Sequence, residues 1–213
     1  MTTSKPVGLL LATMEPPANI EEEFQDWYDS EHFPERQGCP GFLTAQRFVC
    51  INGWPRYLAM YDLEDVEVLR GEGYRKIAHE RYSAWTHRIM SKVWGQYRAE
   101  GVQVYPCDGL YGKLGASSRL ALWRFRGIAL EHAPEMVSGL RKLYEERVET
   151  VQLRVFRVSS SDGGDYLAMA ELSASAPLGD LSPLGAAARR VDLLNTYTTY
   201  TRQAPGAFPK TSR

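Results

Sequence analysis

Two hydrophobic periods alternate along the chain. Apolar residues at every second position mark strands, and spacings of three and four mark helices. An apolar run at residues 7–13 reads as a strand, followed by a helical stretch over about 20–36. Strands at about 43–51 and 56–63 flank the turn Asn52-Gly53-Trp54-Pro55, then come a helix over about 65–81 and a strand within about 92–105. The order then recurs: a strand at 119–125, a helix at 133–149, and strands at 151–158 and 166–172 across a Ser-Ser-Asp-Gly-Gly turn. A short helix at 181–190 and a closing strand at 191–201 complete it.

The recurrence extends to residues. Tyr57-Leu58-Ala59-Met60 returns as Tyr166-Leu167-Ala168-Met169, an offset of 109. Each half reads β-α-β-β-α-β, the split βαβ or ferredoxin-like unit. Such a unit leaves one sheet face uncovered, and two units in one chain can bury those faces against each other. The expected fold class is therefore α+β, two tandem ferredoxin-like (βαββαβ) repeats forming an intramolecular barrel of the dimeric α+β type. Residues 1–108 form the first repeat, 109–118 a linker within a Gly- and Ser-rich stretch, 119–203 the second repeat and 204–213 a flexible tail.

Composition narrows the function classes. At 213 residues, with 44% hydrophobic and 24% charged positions, the chain can bury a core without staples. Lys and Arg number 25 against 26 Asp and Glu, so no net field gathers phosphates or anionic lipid. Neither nucleic acid nor membrane is an expected partner, and the longest apolar run near the start, residues 7–12, is about a third of a membrane span. Cys39, Cys50 and Cys107 are scattered and read as reduced thiols of a cytoplasmic protein. There is no P-loop, no GxGxxG and no zinc spacing, so no metal and no cofactor is expected.

If both halves share a scaffold, chemistry belongs where they differ. The first helix of the first half contains Trp27-Tyr28-Asp29-Ser30-Glu31-His32-Phe33-Pro34-Glu35-Arg36, whereas its counterpart from Pro134 to Glu146 is plainly amphipathic and has no histidine. On a regular helix Phe24, Trp27, Tyr28, Glu31 and His32 share one face. Asp29, three before His32, is placed to fix the imidazole tautomer, and Glu31 offers a second carboxylate, a set suited to proton transfer. Pro34 is expected to end or kink the helix just after His32. A helix end that merely satisfies itself with Asp29 and His32 is the plainer reading. The second half, however, keeps the helix without them.

Other positions carry weaker signals. Tyr57, Ala59 and Tyr61 share one strand face, and Tyr61, replaced by Ala170 in the second half, is a candidate substrate contact. The run Arg81 to Arg88 reads as a lid, a wall or an edge cover, with Trp85 as an aromatic platform and Arg88 or Arg36 as an anion clamp. His79 and His87 read as surface residues, His132 as a helix-start residue and Cys39 as a buried, inert thiol.

The stretch from Trp27 to Arg36, with Cys39-Pro40-Gly41-Phe42 and Pro55 to Tyr61, resembles the dimeric α+β barrel proteins of the EthD-like and muconolactone-isomerase-like kind. Within these it is similar to a group with a WYDxEHxPER signature. The resemblance spans roughly residues 6–105 and implies small, often aromatic or lactone substrates, with cofactor-free isomerases, lyases, dehydratases and monooxygenases, and some haem binders, among its members. The expectation is a cofactor-independent lyase, dehydratase or isomerase. His32, Asp29 and Glu31 would be its catalytic residues, and Trp27, Tyr28, Arg36, Tyr61, Trp85 and Arg88 its substrate contacts. The alternatives are a cofactor-free monooxygenase of an aromatic substrate, or a non-catalytic small-ligand or haem-binding protein. Since fusion already supplies the sheet-to-sheet pairing, a monomer and a homodimer are both open.

Overall fold

In the computed structural model, residues 5–78, 81–159, 164–177 and 179–202 are described; His79 and the expected tail at 204–213 lie outside them. The eight strands are β1 (Gly8–Glu15), β2 (Gln46–Asn52), β3 (Tyr57–Leu63), β4 (Trp94–Tyr105), β5 (Arg119–Phe125), β6 (Thr150–Val158), β7 (Tyr166–Leu172) and β8 (Val191–Thr199). They close into one antiparallel barrel in the order β1-β3-β2-β8-β5-β7-β6-β4, and β4 pairs back onto β1. Closure removes every exposed edge. The order β4-β1-β3-β2 in the first half matches β8-β5-β7-β6 in the second. Phe48 faces Leu58 as Phe156 faces Leu167, and at the two seams Phe48 faces Thr199 as Phe156 faces Gln103.

Strand alternation divides the apolar residues into three layers. Leu9, Leu11, Phe48, Leu58, Met60, Phe156 and Met169 point inward and fill the barrel, as eight strands leave room for side chains and little else. Their neighbours Leu10, Tyr57, Ala59 and Tyr61 point outward, beneath the helices of the first half. Phe125, Leu153, Val155 and Ala168 do the same beneath those of the second half. β3 and β7, covered on both faces, are buried along their whole length.

The helices depart from expectation where proline and glycine intervene. α1 (Glu21–Trp27) passes through a π turn (Tyr28–His32) into α2 (Phe33–Gln37), so the helix runs past Pro34 instead of ending there. A proline ring clashes with the carbonyl four residues back, here that of Ser30, and the wider turn relieves the clash. The expected helix over 65–81 is a 3₁₀ turn (Val66–Arg70) and the short α3 (Glu72–Arg75), broken at Gly71. α4 (Ala84–Met90) follows, capped by the Ser83 hydroxyl, which accepts from Thr86 N.

In the second half α5 (Ala133–Tyr144) packs against the 3₁₀ segment Ser182–Arg190, itself kinked at Gly185 where φ is 52°. Gly139 permits their close approach, because a Cβ there would lie 2.3 Å from the Pro183 carbonyl oxygen. Gly139→Ala is expected to cost about 1–3 kcal/mol through forced separation of the two segments. Thermal unfolding should register this as a fall of roughly 2–4 °C per kcal/mol.

Candidate active site

The π turn decides what surrounds His32. A turn that bonds i to i+5 advances less per residue than an α turn, so residue i+5 comes back over residue i. Phe33 N–H donates to Tyr28 O, and His32 lies against Trp27, five before it, with ring centroids 4.2 Å apart. Tyr28 meets the imidazole edge-on at 5.2 Å. By the same geometry Asp29 rotates away from His32. It pairs instead with Arg47 of β2, which also donates to Gln25 Oε1 and lies between the Tyr28 and Tyr200 rings, at 4.3 and 4.6 Å from their centroids. The expected Asp29–His32 hydrogen bond is absent.

Glu31 is likewise spoken for. Its Oε1 accepts from Ser83 Oγ and from Thr86 Oγ1 at 3.0 Å, while Thr86 Oγ1 accepts from Trp27 Nε1 at 2.9 Å. This relay ties α4 to the π turn, and Glu31 is not part of the cavity wall. Arg88 forms a two-pronged pair with Glu23 on the surface, and Trp85 packs half-buried against the helical layer, so neither reaches the cavity. Of the run 81–88 only Tyr82, just ahead of α4, lines the cavity, and Met90 at the end of α4 joins it there.

The cavity lies between the outer face of the first-half sheet and its helices, and measures about 120 Å³. Leu10, Ala12 and Met14 of β1 form its floor. Tyr28, His32 and Arg36 close one side, Tyr61 and Tyr74 another, and Gln96, Tyr97 and Arg98 of β4 a third. Sequence reasoning missed Tyr74, Met90, Gln96 and Arg98. Arg98 stands opposite Ala12 across the β1–β4 pair, a relation visible only once that pairing is known.

Electrostatics favours an uncharged imidazole. His32 is 7% exposed and its Nδ1 has no hydrogen-bond partner. Burial holds its pKa well below the usual 6.5, and the guanidinium groups of Arg36 and Arg47 push it further down. Arg36 is 2% exposed, donates to Glu35 Oε2 at 2.9 Å and Ile77 O at 3.1 Å, and brings a positive charge to the cavity wall. The Tyr61 hydroxyl, beside Tyr28, makes no hydrogen bond of ordinary geometry, and burial raises its pKa well above 10. Cys39 is buried, which raises its thiol pKa, while His87 and His132 are exposed.

The depressed His32 pKa makes stability pH-dependent. Below about pH 6.5 the unfolded imidazole takes up a proton that the folded one refuses, so the unfolded state binds more protons and stability is lost as pH is lowered. One such group contributes a slope of about 1.4 kcal/mol per pH unit until the folded pKa is reached. Urea midpoints measured between about pH 7 and 5 are expected to fall less steeply in His32→Gln than in the parent chain.

No family model matches the chain, and none of the curated proteins matches it in sequence. Solved structures do match in fold. The chain is similar to an anthrone oxidase-like protein, with TM-score 0.60 and 11% identity over 93% of each chain. It is also similar to a chlorite dismutase variant from Candidatus Nitrospira defluvii, with TM-score 0.56 and 12% identity over 92% of this chain and 93% of that one. A haem-binding protein from Thermus thermophilus matches with TM-score 0.51 and 9% identity over 92% of each chain. The fold is that of the dimeric α+β barrel proteins. No helix among the described residues is long and apolar enough to cross a membrane.

One of these structural neighbours binds haem, and the His32 cavity can be measured against that group. An apolar cavity of about 150 Å³ admits one benzene ring. The space beside His32 is about 120 Å³, so it takes a single ring and not a tetrapyrrole, even though His32 Nδ1 is unbonded. The cavity beside His32 does not fit a haem.

Proposed function

We propose that this cavity is the active site of a cofactor-independent oxygenase acting on a small, electron-rich phenolic or enolic ring. The observation that carries the reading is a buried, uncharged His32 beside the buried guanidinium of Arg36, in a space the size of one ring. His32 accepts the acidic proton of the substrate, and Arg36 stabilises the anion left behind. Tyr28 and Tyr61 hold the ring. The electron-rich anion then reacts with O₂. One oxygen atom becomes a ring carbonyl in place of a C–H, the other leaves as water, and the two hydrogens come from that C–H and from the acidic group.

The oxidase-like relative favours this reading over the isomerase, lyase or dehydratase expected at first, which shares its proton-abstraction step. The halves are read as tandem ferredoxin-like repeats of the EthD-like kind, the first bearing the chemistry and the second serving as scaffold. Shared strand order and matching registers support that reading.

Oxygen uptake measured with a panel of one-ring phenols and hydroquinones tests the proposal. One O₂ consumed per product is expected, with no turnover under argon. Product formation at an undiminished rate without oxygen assigns the isomerase or lyase reading instead.

A further inference from the structure

An arginine in the second half stands where the first half has a glycine. Gly8 of β1 faces Leu63 of β3, and Arg119 of β5 faces Leu172 of β7, in pairings that run without a register shift, so Arg119 holds the place of Gly8. A Cβ on Gly8 would lie 2.5 Å from the Val66 nitrogen, which shows that the 3₁₀ turn after β3 sits directly on that glycine. An arginine leaves no room for such a seat. The chain after β7, at Ser175, Ala176 and Pro177, instead borders a cavity of about 330 Å³.

That volume is within the range of small-molecule sites. Ala121, Leu172 and Leu194 give it an apolar wall, its charged residues are Arg119 and Arg147, and no carboxylate lines it. Neither arginine forms an ion pair among the described residues. Arg119 Nη1 donates to Ser118 O and Arg147 Nη1 to Pro177 O, each at 2.7 Å, so both meet only neutral carbonyls. Arg119 Nε is buried with no hydrogen-bond partner at all. A buried donor of a charged group left unpaired carries a desolvation cost that a bound anion would recover.

We infer that this cavity is a second small-molecule site, for a small organic phosphate monoester. Two guanidinium groups without carboxylate partners match a dianionic head, of which a carboxylate would balance only one charge. The organic part lies against Ala121 and Leu194, where apolar area is removed from water. The site shares no residue with the His32 cavity and binds independently of the chemistry there.

Titration calorimetry with butyl phosphate at about pH 8, where a phosphate monoester is dianionic, tests the inference. Saturable binding of one ligand per chain is expected, tighter than that of inorganic phosphate, which lacks the apolar part, and of pentanoate, which has a single charge. Arg119→Gln and Arg147→Gln should each weaken it about tenfold or more. Ala121→Leu, which installs the residue of the matching first-half position, Leu10, should crowd the apolar wall and weaken binding with both arginines in place. The inference is overturned by absence of saturation into the millimolar range, by affinity unmoved in both arginine variants, by inorganic phosphate or pentanoate binding as tightly as the ester, or by loss of binding in His32→Ala.

Discussion

His32→Ala is expected to lower turnover by about 10²–10⁴-fold while the far-UV signal of the barrel is retained, the usual range for removing a positioned proton acceptor. Desolvation and two nearby guanidinium groups keep the imidazole neutral, so it is ready to accept a proton at neutral pH without first losing one. The acid limb of kcat/KM should accordingly fall below pH 6.5, where the free imidazole would titrate. Asp29→Asn provides the contrast. Because the Asp29 carboxylate pairs with Arg47 at the surface side of the turn, its loss should leave kcat within about threefold, in line with the modest worth of a partly exposed ion pair. Steady-state kinetics on both variants decides the matter. Unchanged turnover in His32→Ala removes the histidine from the chemistry, and a collapse in Asp29→Asn restores the carboxylate to it.

The sequence carries the barrel more fully than the site. Hydrophobic period and the Tyr-Leu-Ala-Met recurrence place β5 and β7 at their observed bounds and most other strands to within a few residues, because inward and outward faces of a closed sheet impose a strict period of two. Trp27, Tyr28, His32, Arg36 and Tyr61 are legible as a group because the second half lacks their chemistry. All but Trp27 line the cavity, and Trp27 backs the imidazole. Asp29 departs from its expected place because regular α spacing does not hold across a π turn, whose only sequence trace is Pro34. Arg47 and Arg98 owe their roles to strand pairing over long sequence separations, which no local pattern encodes.

Arg154→Met is expected to be the most damaging single substitution to stability, at about 3–5 kcal/mol, the cost of leaving buried charges without their partner. Arg154 of β6 is fully buried in the barrel, where Nη1 donates to Asp62 Oδ1 at 2.7 Å. Its Nε lies 3.1 Å from Glu171 Oε1, an ion pair out of hydrogen-bond alignment. Asp62 and Glu171 occupy matching places in the repeated segments, so one guanidinium from the second half reconciles a carboxylate from each half. The same carboxylates accept Tyr111 N–H at 2.7 Å and Gly112 N–H at 3.2 Å, which pins the inter-repeat segment to the barrel end. Removing the guanidinium leaves two like charges in an apolar interior.

Burial already raises the Glu171 pKa with Arg154 present, and without it the rise should be larger. A carboxyl whose folded pKa exceeds its unfolded one is more protonated when folded, so the fold loses stability as pH rises. The deficit of Arg154→Met measured by urea unfolding should therefore shrink as pH is lowered from about 7 toward 5. Adding Asp62→Asn and Glu171→Gln should recover much of the loss, a non-additivity that reports direct coupling. A deficit under about 1 kcal/mol, independent of pH, would mean that packing and not charge holds this end of the barrel.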